Sequence, residues 1–427
     1  MADQEASGQI APGERPPSVV TQLGPGLITG AADDDPSGIA TYSQAGAQFG
    51  FGLLWTMALT YPLMVAVQLV SARIGRVTGR GLAANMAELL PGWLVAALIA
   101  LLFVANTINI GADLAAMGDA AQLVSGSDGG HWFTVGFALL SLGLQMFIPY
   151  RRYSAILKWL TLVLLAYVAL LFMVKVDWAA AAKGLVWPAV DRGSVTTIVA
   201  IFGTTISPYL FFWQSAQEVE EVDQDECAKP LNDAPEQAPR EFRRIGIDTF
   251  AGMAVSNLVA IAIMIGTAAT LHAAGTTDIA TAADAAKALE PVAGHFAFLV
   301  FSLGIIGTGL LAVPVLAGST AYAVAETRGW KNGLEYQPWE AKGFYAVIAA
   351  ATLIGIAIDW SPIDPIKALF WSAVINGVVA VPIMVAMMIV ASRHAAMGRF
   401  TASRGLMIFG WAATIVMAVA AVAMFVV

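Results

Sequence analysis

Three carboxylates stand in a row at Asp33, Asp34 and Asp35, followed by Pro36, Ser37 and Gly38, inside a stretch otherwise apolar from about Pro25 to Leu54. An ionisable side chain at mid-membrane is expensive and by default marks a functional site. A proline in the same helix removes one backbone donor and frees a carbonyl one turn earlier. Carboxylate and carbonyl oxygens suit hard cations such as Mg2+, Ca2+ and Mn2+. The chemistry on offer is therefore cation binding. Successive helical residues project about 100° apart, so the three carboxylates cannot share one cavity. Asp35, which abuts Pro36, is expected to point into the break and Asp34 to contribute from the cavity wall. Asp33 is left either a structural role or a permanent proton.

A second interruption, Phe-Gly-Thr-Thr-Ile-Ser-Pro-Tyr at residues 202–209, lies five spans further along. Interrupted helices in corresponding positions of two halves point to a transporter's binding site. Unwound backbone at membrane depth is tolerated only where protein buries it or it lines a cavity. Two five-helix repeats of inverted topology are therefore expected. A plain proline kink explains Pro208 equally well, but it leaves the three aspartates beside Pro36 without a reason.

The elements that must carry these breaks are membrane spans. The 427 residues are 58% hydrophobic and 12% charged, with a mean hydropathy of +0.72, whereas soluble domains carry about 25% charged residues. Windows of roughly 20 apolar residues give eleven spans near 22–46, 51–76, 92–124, 131–149, 153–176, 195–217, 245–271, 289–325, 342–359, 366–391 and 404–427. The third and eighth are long enough to tilt or to extend past the hydrocarbon. With the N-terminus inside, the inner loops collect Arg73, Arg76, Arg80, Arg151, Arg152, Lys229, Arg240, Arg243, Arg244, Arg328, Lys331, Lys342, Arg393, Arg399 and Arg404. The outer side receives only Lys175, Lys183, Arg192, Lys287 and Lys367. The positive-inside rule thus sets a cytoplasmic N-terminus and an extracellular C-terminus in the plasma (inner) membrane.

Several classes are excluded or disfavoured. The single cysteine, Cys227, rules out an internal disulfide framework and cysteine metal clusters. Residues 1–20 are polar and proline-rich, without the basic-then-apolar run of a signal peptide, and read as a disordered cytoplasmic tail. A net charge of −8 argues against a nucleic-acid partner. His131, His272, His295 and His394 fall at span ends or in loops and none pairs with another at ligand spacing. Neither a Gly-x-Ser-x-Gly nor a His-Glu-x-x-His signature is present, so no enzyme is expected. Residues 218–244, acidic and then basic, read as a solvated cytoplasmic loop, with metal sensing as the other use.

At the first break the run Gly-Pro-Gly-Leu-Ile-Thr-Gly-Ala-Ala-Asp-Asp-Asp-Pro-Ser-Gly resembles the first helix of the Nramp family of divalent-metal transporters. In that family an Asp-Pro-Gly-Asn motif supplies Asp and Asn ligands, and an Ala-x-x-Met-Pro-His motif in span 6 supplies a carbonyl and a sulfur. The resemblance runs from about Leu23 through span 10 and implies an all-α polytopic membrane protein of the LeuT type. That architecture has 11 transmembrane helices, two inverted five-helix repeats and discontinuous helices 1 and 6. The divisions are a tail at 1–20, a transporter core at 21–403 and an additional span at 404–427.

The departures from the motif carry their own implication. Asp35 and Pro36 match, while Ser37 and Gly38 replace Gly and Asn; Thr204, Ser207 and Tyr209 replace Ala, Met and His. This combination is most similar to the Nramp-related magnesium transporters. A thioether favours transition metals, and its loss removes the ligand that would discriminate against Mg2+. Mg2+ keeps several waters, so a roomier oxygen-lined site is expected to hold it partly hydrated. Asp35 would be its charge partner, helped by carbonyls near Ala32–Asp34 and Thr204, while Ser207 and Tyr209 bond its waters. Asn376 either adds a polar group to the cavity or makes an interhelical hydrogen bond; Gln214, Gln68 and Asn257 are weaker candidates.

Asp113 matches the first acid of the family's span 3 pair, but Ala116 stands where the Glu would be, and Tyr209 replaces the histidine. The relay thus lacks its near-neutral groups, and weak or absent proton coupling is expected, although Asp113 or Asp119 could carry a proton by another route. No cofactor is implied beyond the transported Mg2+ or Mn2+; the partners are divalent cations and the lipid bilayer, and no oligomer is required. The rivals are a proton-coupled Mn2+ or Fe2+ importer and a Na+-coupled amino-acid or amine symporter. A channel or a membrane-embedded hydrolase stands further off. The triple aspartate would repel an amino acid's carboxylate.

Overall fold

The computed structural model describes residues 25–127, 129, 131–148, 160–279, 281–360 and 362–426. The expected tail at 1–20, the loop arginines Arg151 and Arg152 and the start of the fifth span lie outside these residues. The described segments are helical, as membrane depth requires, since a helix satisfies its backbone internally.

The first repeat contains α1 (Pro25–Asp33), α2 (Pro36–Phe49), α3 (Trp55–Thr78), α4 (Leu82–Leu89), α5 (Gly92–Ser125), α6 (Trp132–Phe147) and α7 (Leu165–Met173). After α8 (Trp178–Val186), the second contains α9 (Val195–Thr205), α10 (Pro208–Gln224), α11 (Ala238–Thr267), α12 (Ala297–Arg328), α13 (Lys342–Ile356) and α14 (Pro365–Ser392), with α15 (Arg404–Val426) last. Among the described residues seven helical stretches are long and apolar enough to cross a membrane; three shorter apolar helices and the broken α1–α2 pair bring the spans to eleven. Exposed tryptophans mark two belts: Trp93, Trp330 and Trp339 at the end where α3 and α12 finish, and Trp132, Trp187 and Trp360 at the other.

Three boundaries differ from the sequence reading. The eighth span starts at Ala297 rather than near 289, because Gly294 turns the chain at φ +52. Helices α4 and α8 were not anticipated, being too short to register as spans. Residues 218–244 are not mainly a solvated loop: α10 runs to Gln224 and α11 begins at Ala238. The charges there pair with one another, Arg244 reaching Glu218 at 2.5 Å, Glu221 at 3.0 Å and Glu241 at 2.9 Å.

Small residues let the inner helices meet backbone to backbone. A Cβ at Gly30 of α1 would lie 2.4 Å from the Gly252 carbonyl of α11, and one at Gly203 of α9 would lie 1.9 Å from the Ala373 carbonyl of α14. Span 6 is the most enclosed and α15 the least, the latter packing on α3, α9 and α14 with Ile408, Ile415, Val419 and Phe425 exposed.

Candidate functional site

The two breaks share one local grammar. Asp35 (φ −71, ψ 171) precedes Pro36, the first residue of α2, and Ser207 (φ −74, ψ 132) precedes Pro208, the first residue of α10. A residue before proline is pushed to extended backbone, and proline at N1 gives up a donor that the helix would not use. Each sequence break is thus a helix end followed at once by a helix start.

Asp35 is the N-cap of α2 and is 1% exposed. One carboxylate oxygen, Oδ1, accepts the Gly38 amide at 2.7 Å and the Ser37 hydroxyl at 2.6 Å. The other, Oδ2, accepts Asn109 Nδ2 of α5 at 3.2 Å. Asn109 Oδ1 in turn accepts the Ser372 hydroxyl of α14 at 2.7 Å. Helix N-termini favour negative charge, and α2 turns that end toward Asp35.

Asp33 and Asp34 face α11 instead. The Ser256 hydroxyl lies 2.8 Å from Asp33 Oδ2 and 3.1 Å from Asp34 Oδ1, one proton for two acceptors. Asp34 is 5% exposed and Asp33 fully buried, and among the described residues Asp33 Oδ1 has no hydrogen-bond partner. Among the described residues, none of Asp33, Asp34, Asp35 and Asp113 has an ion pair. A buried carboxylate is ordinarily paired, protonated or bound to a cation, and these four leave room for the last two.

At the second break the Tyr209 hydroxyl donates to the Ala32 carbonyl at 3.1 Å, joining α10 to the end of α1. The Ser207 hydroxyl turns back to the Gly203 and Thr204 carbonyls, both at 2.8 Å. A Cβ at Gly38 would sit 3.3 Å from Thr204 Oγ1 and 3.3 Å from the Tyr42 ring. Gly38 therefore stands where the two breaks touch, and Asp35, Gly38, Thr204 and Tyr209 come together around them. Among the described residues no three His, Cys, Asp or Glu side chains converge at ligand spacing. What the breaks offer is one carboxylate among neutral oxygens.

A family model described as natural resistance-associated macrophage protein-like matches residues 26–427. The chain belongs to the Nramp family. A curated relative, the divalent metal cation transporter MntH of Acidiphilium cryptum (strain JF-5), is 28% identical over 392 residues, 88% of this chain and 83% of that protein. MntH of Yersinia pestis (strain Pestoides F) is 30% identical over 311 residues, 69% and 71% of the two chains. The Eremococcus coleocola manganese transporter, solved with an aromatic bis-isothiourea substituted compound, superposes with a TM-score of 0.76 at 17% identity, covering 96% of this chain and 88% of that one. Mhp1, a nucleobase-cation-symport-1 family transporter, matches with a TM-score of 0.58 at 14% identity over 94% and 91%. These likenesses establish the inverted-repeat fold with discontinuous helices 1 and 6, in a multi-pass membrane protein.

The remaining candidates of this Nramp chain separate cleanly. Asp113 and Asn376 are buried, and among the described residues neither side chain has a hydrogen-bond partner on any polar atom. Each sits one turn beyond a member of the Asn109–Ser372 pair, on α5 and α14 respectively. Gln214 belongs elsewhere: its Oε1 accepts the Thr29 hydroxyl at 2.6 Å and its Nε2 lies 3.5 Å from Glu218, so it ties α1 to α10. Sequence reasoning missed Asn109, Ser256 and Ser372. Their only signal was a polar residue within an apolar span, which many packing residues share.

A cavity of about 490 Å³ opens at the end of the bundle where α3, α10 and α12 finish. Ala216, Glu220, Asp223 and Glu326 are among its lining residues. The buried Trp213, packed edge-on against Tyr322 at 6.2 Å, stands one turn of α10 from Tyr209.

Proposed function

We propose that this Nramp protein imports divalent metal cations by alternating access, with partly hydrated Mg2+ and also Mn2+ as cargo and with weak or no proton coupling. The observation that carries the reading is Asp35, a buried carboxylate at the helix break held by the Ser37 hydroxyl, the Gly38 amide and the Asn109 side chain. Oxygen ligands without a soft sulfur suit Mg2+ and Mn2+, and Mg2+ is habitually bound through one or two carboxylates while keeping waters. The curated relatives' name, divalent metal cation transporter, supports the same cargo class. Asp35, Gly38 and Thr204 bound the ion's space, with Ser207 and Tyr209 around it; Asp34, expected on the cavity wall, is held instead against Ser256 of α11, and Asp113 and Asn376 lie one turn beyond Asn109 and Ser372.

The lysine and arginine distribution puts the N-terminus in the cytoplasm and the C-terminus outside, in the plasma (inner) membrane. The 490 Å³ cavity, lined in part by Glu220, Asp223 and Glu326, is then a cytoplasmic vestibule. Residues 21–403 form the carrier core and 404–427 the added span. Inside-negative potential favours entry of a dication by about 4.6 kcal/mol per 100 mV, from roughly 2.3 per charge. That gradient accumulates Mg2+ without a second ion. Uptake of Mn2+ into proteoliposomes, with Mg2+ as competitor, tests the reading. Competitive inhibition by Mg2+, and loss of uptake in Asp35→Ala, are expected; Mn2+ uptake indifferent to excess Mg2+ would overturn the Mg2+ assignment.

A further inference from the structure

We infer that Asn109 is a specificity-determining positioning residue, held by Ser372, that restricts how Asp35 can meet an ion. The inference rests on the reading of Asp35 as the ion's carboxylate. An asparagine amide offers an acceptor on one side and donors on the other. Here the donor side meets Asp35 Oδ2 at 3.2 Å and the acceptor side meets the Ser372 hydroxyl at 2.7 Å. Both side chains are fully shielded, Asn109 at 0% and Ser372 at 1% exposed. No water can replace either contact without rearrangement.

The Ser372 hydroxyl also lies 2.7 Å from the Leu369 carbonyl of its own helix. Its single proton therefore has two acceptors in reach. When it goes to Asn109 Oδ1 it fixes the amide with Nδ2 toward Asp35. In the flipped amide an oxygen would face an ionised carboxylate. The three residues thus come from the first break, the third span and the tenth span, and they form one directed chain.

The consequence is geometric. Oδ1 of Asp35 is occupied twice, by Gly38 N and Ser37 Oγ, and Oδ2 once, by Asn109. Rotating the carboxylate to grip an ion with both oxygens would break these bonds. Asp35 so held meets an ion with one oxygen or through a coordinated water. That suits Mg2+, which keeps near-ideal octahedral geometry and sheds water reluctantly. Without Asn109 the carboxylate is free to turn and chelate, which helps ions that dehydrate more readily, Mn2+ and Ca2+.

The test compares Vmax/KM for Mg2+, Mn2+ and Ca2+ in proteoliposomes for wild type, Asn109→Ala, Ser372→Ala, Ser372→Thr, Asp35→Asn and the double alanine variant. Asn109→Ala should lower the Mg2+/Mn2+ ratio about tenfold, the low end of what loss of an outer-shell partner does at metal sites. Ser372→Ala should shift the ratio the same way by less, and Ser372→Thr should restore it. The double variant should be no worse than Asn109→Ala, since Ser372 acts through Asn109. Equal loss of Vmax for all three ions, with the ratio unchanged, would mean a packing role and overturn the inference. Ser372→Ala, which deletes one oxygen, decides the matter alone if Asn109→Ala does not fold. Undiminished uptake by Asp35→Asn would sink the underlying reading of the site. Loss of uptake in that variant beside an unchanged ratio in Asn109→Ala would sink this inference only.

Discussion

The Tyr209 hydroxyl donates to the Ala32 carbonyl at 3.1 Å, and with that bond the broken helix of the second repeat closes over the broken helix of the first. Both groups are buried completely. Tyr209→Phe keeps the ring and deletes only this bond, so it should lower thermal stability by about 1 kcal/mol. It also frees a carbonyl at the site, and KM for Mg2+ should change more than Vmax. A denaturation curve beside an uptake titration checks both.

Tyr209→His restores the residue type found at this place in the family's proton-coupled members. An imidazole titrates near 6.5. Below that pH it is cationic and repels a dication beside Asp35; above it, it is neutral. Uptake by the variant should therefore fall as pH drops through about 6.5, while wild-type uptake changes little over the same interval. Parallel pH profiles for the two proteins would contradict this.

Gly38→Asn also reverts a departure from the family motif. Even a Cβ there lies 3.3 Å from Thr204 Oγ1 and from the Tyr42 ring, so a full amide must occupy the space between the breaks. Mg2+ uptake should fall further than Mn2+ uptake, because the hydrated ion needs the larger volume. Measured Mg2+/Mn2+ ratios that rise instead would show that this space is not where the ion sits.

Ser256→Ala removes the one hydroxyl shared by Asp33 Oδ2 and Asp34 Oδ1. Leaving buried acceptors unmet costs about 1–3 kcal/mol. The variant should lose that much stability yet keep the ion selectivity of the wild type, since Asp35 does not touch Ser256. A changed Mg2+/Mn2+ ratio would bring Asp33 and Asp34 into the ion's own shell.

Arg244 holds Glu218, whose side chain is 0% exposed, at 2.5 Å. Arg244→Ala strands that buried carboxylate and should destabilise the protein by about 3 kcal/mol or more. Glu218→Gln in the same background should recover part of the loss, because the stranded charge is gone. Thermal unfolding of the two variants measures the difference.

The sequence made some of this legible and hid the rest for physical reasons. Proline alone does not mark the breaks, since Pro62, Pro314 and Pro382 sit inside continuous helices; the carboxylates before Pro36, and the place of Pro208 five spans further along, singled them out. Eleven spans followed from hydropathy, because membrane depth admits little else. The partners of Asp35 did not follow. Asn109 lies 74 residues beyond Asp35 and Ser372 a further 263, and only the packing of α5 and α14 against α2 brings them within reach. Gln214 shows the opposite error: its type and span suited the cavity, but its helical face points it at Thr29. The acidic run after residue 217 looked like loop because charge was counted without its partners, which come from α11.

The most direct test is Mg2+ entry into proteoliposomes carrying an internal pH probe, under an inside-negative potential, with Asp35→Ala alongside. The account predicts Mg2+ accumulation in the wild type, a silent pH probe and no entry in the variant. Exclusion of Mg2+ while Mn2+ entry acidifies the lumen would contradict it, and would make Gly38, Ser207 and Tyr209 silent replacements in a proton-coupled carrier.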